Sequence, residues 1–233
     1  MVNDVPNRSV RNGKHVVFDL DHTLIYTPDQ QDWYINLYNN HNESEIKSLN
    51  LGFGKITIPN SSRSNKYKGV SGTVDLYYII RPYCLELLVQ CFRNFETVSV
   101  WSAGSREYVK EIVDDLFSKI GKYPSIVWTR DELVNGIKPL SKMIDVFGPK
   151  VGMSLKNTIL VDDMSYNFEK NPDNGLLIPH YEPRTTFDAL KIPEDNLKAL
   201  NEYFHSARFL YEEDIRNLRD DCYFIFDEIT KYS

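Results

Sequence analysis

Asp19 and Asp21 stand two positions apart just past the apolar run His15-Val16-Val17-Phe18, and Asp162-Asp163 close a second such run, Thr158-Ile159-Leu160-Val161. Paired carboxylates can exchange protons with a substrate and can hold hard cations through oxygen. Ser102 follows a third run, Val98-Ser99-Val100-Trp101, and Lys138 comes after a fourth, Ser125-Ile126-Val127-Trp128, and a loop. Taken singly, each residue has an ordinary explanation. A DxD pair often marks a turn, a serine can neighbour a helix cap, a lysine can sit in solvent, and two aspartates can end a strand. Their shared position changes the reading. In an open parallel sheet, ligands bind outside the carboxyl ends of the strands. All six residues fall at or beyond such ends, which predicts one active site built from them.

The elements that must position these residues follow from the same runs. Short apolar runs bounded by turn signals suit strands buried on both faces of a parallel sheet. Between them lie helical patterns. Pro82 can open a helix at its first turn, with Leu85, Leu87, Leu88 and Cys91 at helical spacing. Ser105 can cap a second helix carrying Tyr108, Val109, Ile112, Val113 and Leu116, and Leu140, Met143, Ile144 and Phe147 suggest a third. Alternating strands and helices predict right-handed crossovers, hence an α/β, Rossmann-like parallel sheet with helices on both faces. Residues 28–79 break the rhythm. They are rich in Asn, Ser and Tyr, with β-patterned pieces at 54–58 and 73–78. They predict an insertion after the first strand, beside the active site, holding a small antiparallel sheet. From Pro193 the pattern is helical, with Leu197, Leu200 and Tyr203, then Ile215, Leu218, Cys222 and Phe226. Residues 1–13 read as a loose tail and 14–233 as one domain.

Composition bounds the function. With 42% hydrophobic and 13% aromatic residues, the 233-residue chain can fill a real core. A net charge of −6 supplies no electrostatic footprint for nucleic acid, so direct nucleic-acid binding is not expected. The three cysteines form no CxxC pair and leave an odd count, which predicts reduced thiols in a nuclear or cytoplasmic protein. The polar start lacks the apolar core of a secretory signal, and no apolar stretch reaches membrane-spanning length, so a soluble chain with no membrane partner is expected.

Phe18-Asp19-Leu20-Asp21-His22-Thr23-Leu24 resembles the DxDx(T/V) signature of haloacid-dehalogenase-type phosphotransferases. With Arg81-Pro82, Trp101-Ser102-Ala103-Gly104-Ser105-Arg106-Glu107-Tyr108 and Leu160-Val161-Asp162-Asp163, the chain is similar to the CTD-phosphatase family. That family includes the small C-terminal-domain phosphatases and the NLI-interacting-factor-like proteins, and the similarity runs from about residue 14 to about residue 206. The resemblance implies a haloacid-dehalogenase-like fold and Mg2+ as cofactor. It implies that Asp19 attacks phosphorus in line and carries an aspartyl phosphate, which splits one hard hydrolysis into two steps. Asp21 is then the general acid and base, a role typically worth ~10²–10⁴-fold. The implied metal ligands are Asp19, the main-chain carbonyl of Asp21, and Asp163, with Asp162 behind them orienting Lys138 or a metal-bound water.

The other implied roles follow from charge. Each pair of unit charges about 4 Å apart repels by roughly 4 kcal/mol at an effective dielectric near 20. Up to four carboxylates and a phosphate dianion therefore need the metal and Lys138 to coexist. Ser102 and nearby backbone N–H groups are expected to hold the remaining phosphoryl oxygens. Thr23 is expected to support the nucleophile loop by hydrogen bonding, on the substrate-binding side, or to cap a helix or turn. Arg130 falls where relatives carry an arginine that touches substrate. His22 stands where some branches carry glutamate or glycine, and a packing role is expected for it. Residues 171–174 resemble a family segment and read as a turn. The loop from Arg130 to Lys138 is shorter than in the small CTD phosphatases.

The resemblance points to phosphorylated protein as the partner, with phosphoserine or phosphothreonine as substrate and the repeated tail of RNA polymerase II as the family's best-known target. Two other readings stay open. One is a phosphatase of small phosphate esters or nucleic-acid 3′-phosphates. The other is a non-enzymatic binding module.

Overall fold

The computed structural model describes residues 12–29, 31–63, 71–219 and 221. The chain runs through β1 (His15–Phe18), β2 (Ile25–Tyr26), α1 (Asp32–Asn40), α2 (Glu43–Ser48), β3 (Gly52–Pro59), α3 (Asn60–Arg63) and β4 (Thr73–Ile80). It continues through α4 (Cys84–Asn94), β5 (Thr97–Trp101), α5 (Arg106–Ser118), β6 (Val127–Trp128), α6 (Leu140–Val151), β7 (Thr158–Asp162), β8 (Gly175–Leu177), α7 (Asn196–Phe204) and α8 (Ala207–Tyr211). Most of the tail expected at 1–13, and Cys222 and Phe226, lie outside the described residues. No helix among the described residues is long and apolar enough to cross a membrane.

The two-residue period of the strands decides the layering. On β1, Val16 and Phe18 enter one core cluster with α4, α5, α7 and α8, while Val17 enters another with α6 and Phe168. Ile159 and Val161 on β7 follow the first set, and Leu160 follows the second. Apolar residues on both faces are what let these strands form a buried parallel sheet, in the order β6-β5-β1-β7-β8. The α/β architecture with helices on both faces is the one expected from the sequence. β1 lies at the centre, so its carboxyl end, carrying Asp19, is flanked by the ends of β5 and β7.

One expectation needs correction, and one element is added. Pro82 does not begin the helix. Tyr83 takes a left-handed backbone (φ 63°), and α4 starts at Cys84, so Arg81-Pro82-Tyr83 forms a turn before it. β8 is an additional edge strand. It pairs with β7 just after the predicted turn at 171–174, and is too short for its alternation to be read. Ser105 does cap α5, its hydroxyl accepting from the Tyr108 N–H.

Residues 25–80 contain the expected antiparallel sheet, ordered β2-β4-β3. One face, with Ile56, Ile58, Leu76, Tyr78 and Ile80, joins the main core cluster. The opposite face, with Ile79, packs on Trp33 and Leu37 of α1, on Ile46 of α2 and Leu49 just after it, and on Tyr181 and Leu190. Those two helices were not legible beforehand. α1 turns only Trp33 and Leu37 fully inward, a stripe too thin to stand out, although Asn42 and Glu45 form a capping box at α2.

Tyr78 ties the insertion to the main layer. Its ring is fully buried and its hydroxyl donates to Asp115 Oδ2 of α5 at 2.6 Å. The ring lies directly over Gly54, where an added Cβ would meet Tyr78 ring carbon at 2.1 Å. Gly54→Ala is therefore expected to cost about 1–3 kcal/mol through overpacking, read as a lower urea midpoint with unchanged slope.

Candidate active site

Each candidate residue arrives at the sheet's carboxyl edge by a short local route. The Asp19 N–H donates to the Val161 carbonyl at 2.9 Å, which extends the β1–β7 ladder by one bond and holds the aspartate over the sheet edge. The chain then turns at once. The N–H groups of Thr23, Leu24 and Ile25 all donate to the Leu20 carbonyl, and His22 sits in left-handed backbone (φ 60°). Ser102 leaves β5 with its N–H on the Trp128 carbonyl, and its hydroxyl oxygen accepts from Gly104 N–H at 3.0 Å. Gly104 has no room for a side chain, because a Cβ would lie 2.6 Å from the Tyr108 ring.

Lys138 comes from the turn before α6 and is buried with its Nζ between two carboxylates. It donates to Asp19 Oδ1 and, at 2.7 Å, to Asp162 Oδ2. Asp162 also accepts from Asn167 Nδ2 at 2.9 Å and from the Met164 N–H at 2.9 Å. Its charge is thus fully engaged by protein donors. One carboxylate oxygen each of Asp19, Asp162 and Asp163 lie within 4.8 Å of one another. Asp163 reaches this group with its other contact outward, Oδ2 lying 2.6 Å from His180 Nδ1.

Asp21 points elsewhere. Its Oδ1 accepts from the Tyr108 hydroxyl, which lies 2.8 Å from Thr27 Oγ1. Asp21, Tyr108 and Arg130 border a cavity of about 200 Å³ together with Gly104, Ser62 and Ile58 of the insertion. Arg130 is exposed on its rim, with Nε donating to the Ala103 carbonyl at 3.0 Å.

The electrostatics follow from this burial. Desolvation pushes the Asp19 carboxyl well above the ordinary carboxylate range; Lys138 opposes that rise, and Asp162 and Asp21 add to it. Burial alone would lower the Lys138 ammonium, but Asp19 and Asp162 outweigh it and hold the group charged. Asp21 is also raised, by burial first, with the Tyr108 hydroxyl opposing. Tyr108 in turn is pushed up by burial and by Asp21.

A model of the family described as "NLI interacting factor-like phosphatase" matches residues 14–216. The chain belongs to that family. Its members are phosphoric monoester hydrolases by name, the enzyme class expected from the DLDHTL motif. Ubiquitin-like domain-containing CTD phosphatase 1 of Homo sapiens is 30% identical over 109 residues, covering 43% of this chain and 34% of the relative. Nuclear envelope morphology protein 1 of Saccharomyces cerevisiae is 25% identical over 213 residues, covering 88% of this chain and 41% of the relative. The chain thus spans about a third to two fifths of the length of these curated relatives. Among solved structures, Fcp1, an essential RNA polymerase II CTD phosphatase, superposes with a TM-score of 0.54 at 17% identity, over 85% of this chain and 52% of that one. The fission yeast RNA polymerase II CTD phosphatase bound to beryllium fluoride gives 0.53 at 16%, over 91% and 57%. At such identity the likeness is one of fold.

In this NLI interacting factor-like chain, the residues singled out beforehand divide into groups. Asp19, Lys138, Asp162 and Asp163 meet in one cluster. Asp21 and Arg130 line the neighbouring cavity beside α5, and Ser102 stands at the end of β5. Thr23 corrects an expectation: it is fully buried, and its Oγ1 makes no hydrogen bond among the described residues, so it neither props the turn by hydrogen bonding nor faces substrate. The turn is tied down instead by Arg81, whose buried guanidinium donates to the carbonyls of His22 (3.3 Å), Thr23 (3.1 Å) and Pro179 (2.8 Å) and to Glu194 (2.7 Å). In the sequence Arg81 stands out only with Pro82, as part of the family resemblance. Tyr108 had been read as a helix-core position, yet it is the partner of Asp21. Asn167 and His180 carried no signal, because nothing in their local sequence ties them to Asp162 and Asp163.

The raised Asp21 carboxyl has a measurable sign. A folded-state value above the unfolded one means that folding favours the protonated form, so this contribution is present below the ordinary value near 3.8 and is lost as pH rises through the raised value. Asp21→Asn is therefore expected to raise the unfolding temperature of the metal-free protein at about pH 7, with the gain shrinking towards about pH 4. Thermal unfolding in chelator across that range checks it, and an unchanged difference between the variants at both ends would contradict the assigned cause.

Proposed function

We propose that this chain is a magnesium-dependent phosphoserine/phosphothreonine protein phosphatase that works through an aspartyl phosphate on Asp19. The observation that carries the proposal is the buried Asp19–Lys138–Asp162 triad with Asp163 beside it, at the carboxyl edge of a parallel sheet. The donor set fits a hard cation. Asp162 is already satisfied by Lys138, Asn167 and a backbone N–H, which leaves Asp19 and Asp163 as the carboxylates with capacity for an ion, and oxygen-only donors suit magnesium. Asp19, Asp163 and the main-chain carbonyl of Asp21 would hold it. When bound, it would neutralise charge on the transferring phosphoryl group.

The chain's own groups carry the remaining work. Asp19 attacks phosphorus as the ester oxygen departs. Lys138, charged and fixed by two carboxylates, keeps the Asp19 oxygen oriented and offsets the charge that gathers on the phosphoryl oxygens. Asp21 sits on the opposite branch of the turn. Its raised carboxyl holds a proton more readily than an exposed aspartate does, as a general acid needs, and the Tyr108 hydroxyl fixes its rotamer. It delivers that proton to the departing alkoxide and later takes one from the water that hydrolyses the acyl phosphate. The Ser102 hydroxyl and nearby backbone N–H groups would donate to the other phosphoryl oxygens. Arg130 would meet the acidic or second phosphate group of a substrate.

Phosphoprotein as substrate, with the RNA polymerase II tail as leading candidate, is supported by the names of one relative and two solved structures. Buried, unbridged Cys84 and Cys91 are consistent with a reducing compartment, nuclear or cytoplasmic.

Asp19→Asn is expected to abolish magnesium-dependent hydrolysis of an aryl phosphate, with circular dichroism unchanged. Near-normal turnover would remove the nucleophile from the scheme. Turnover of the purified protein on phosphopeptides, including the polymerase repeat, is expected to exceed that on sugar phosphates and nucleotides by at least about tenfold in kcat/KM, since peptide contacts beyond the phosphate add transition-state binding. The reverse order would favour the small-ester reading.

A further inference from the structure

A cleft of about 1020 Å³ opens between α1 of the insertion and the 182–187 segment. It adjoins the cavity beside Asp21, because Pro28 and Asp29 line both. Its two walls run side by side. At one end the Tyr26 hydroxyl donates to Glu182 Oε1 at 3.2 Å, and at the other the His41 ring stacks on Phe187 with centroids 4.0 Å apart. Between these ends, Asp32, Trp33, Asn36, Leu37 and Asn40 supply the α1 wall, at the spacing of a single helix face. The Tyr26–Glu182 end abuts the aspartate cluster. Glu182 Oε2 lies 3.2 Å from His180 Nε2, and His180 Nδ1 lies 2.6 Å from Asp163 Oδ2. The Tyr26 ring lies 5.4 Å from that of His22, which stacks on His180 at 4.0 Å. Charge is uneven along the cleft. Asp29 and Asp32 stand where α1 begins, at the same end as Glu182, and Arg184 is the one Lys or Arg in the lining. Trp33 is 6% exposed in the α1 wall, and its indole N–H has no hydrogen-bond partner among the described residues.

We propose that this cleft receives the stretch of substrate polypeptide beside the phosphorylated residue and selects a lysine or arginine in it. The inference rests on the phosphoprotein-phosphatase reading and narrows its substrate class. Charge complementarity carries it. Three carboxylates against one guanidinium repel a second phosphate and attract an ammonium or guanidinium, while the rings of Tyr26 and Trp33 offer apolar surface to the stem of such a side chain. A single exposed ion pair is worth little, so the selectivity has to come from several carboxylates acting on one cation. Length fits as well. From Asp32 to Asn40, α1 provides about 12 Å of wall at ~1.5 Å per residue, room for roughly three to four residues of extended chain at ~3.3–3.6 Å each. The carboxylates lie at the end next to the active site, so the basic residue falls within about four positions of the phosphorylated one. Towards the His41–Phe187 end the lining turns to Asn36, Asn40 and Thr186, whose amides and hydroxyl can bond any backbone and read no side chain.

The test is fluorescence anisotropy with labelled phosphoserine peptides, in magnesium at low salt, on the full chain carrying Asp19→Asn so that the phosphate is not turned over. Peptides with one lysine or arginine at successive positions within about four residues of the phosphoserine are compared with an all-alanine peptide. On one side of the phosphoserine, a basic residue is expected to tighten binding at least about fivefold, with the gain shrinking as salt is added. Adding Asp32→Asn from one wall, or Glu182→Gln from the other, is expected to cut that gain at least about threefold with circular dichroism unchanged. Glu111→Gln on α5, outside the cleft, is expected to leave it intact. A basic residue without effect at every position, a gain that survives both cleft variants, or one lost equally in Glu111→Gln would overturn the inference. Aryl phosphate turnover by the wild type is read separately. Its absence defeats the phosphatase reading, whereas normal turnover with no basic preference in binding defeats the cleft assignment alone.

Discussion

Negative charge gathered at one sheet edge and held there by a single buried ammonium is the constraint on which the rest of the molecule depends. Asp19 and Asp162 leave adjacent parallel strands, so their carboxylates are forced together by the backbone ladder itself. Lys138 meets both from a turn 119 residues beyond Asp19 in sequence. A buried ion pair is poor evidence of stability, because desolvating its members costs several kcal/mol each and the attraction only offsets this. The cluster makes better sense as a site whose charges are kept in place for a substrate. Its residual imbalance of one ammonium against several carboxylates is what leaves capacity for a cation.

Around that cluster the fold spends buried polar groups on rigidity. The turn after Asp19 reverses direction within a few residues and includes a left-handed His22, a conformation that costs energy outside glycine and asparagine. Arg81 offsets this from below by bonding three carbonyls of neighbouring loops, and Glu194 neutralises it. On the opposite side the Tyr108 hydroxyl joins Asp21 to Thr27, so the first helix after β5 and the start of the insertion share one anchor. The insertion is accordingly part of the site's wall. Its sheet shares one face with the main core and uses the other to seat α1 and α2 against Tyr181, next to His180 and Glu182.

Much of this was legible in the linear sequence. The strand runs ending at Phe18, Trp101, Trp128 and Val161 declare themselves by carrying apolar residues at both odd and even positions, as a strand covered on both faces requires. Ser105 declares its helix by capping it. The same local signals placed Asp19, Asp21, Ser102, Lys138, Asp162 and Asp163 at strand ends or just beyond, and strand ends are where an α/β sheet binds ligands. The family resemblance rested on those residues, and the match over 14–216 bears it out. α1, α2 and β8 escaped because their apolar signal is thin or short. Pro82 misled because proline suits both a first helical turn and the turn before one.

What sequence determines here is which residues end which strands, since hydrophobic periodicity and capping are properties of neighbours along the chain. Which of those ends face each other is decided in three dimensions, by strand order and by the direction each side chain takes on leaving the sheet. The chain pattern alone therefore could not reveal that Arg81 ties down the Asp19 turn, that Tyr108 holds Asp21, or that His22 and His180 stack beside Asp163. Those contacts join residues dozens of positions apart, and they exist only because packing the central sheet brings its loops to one edge.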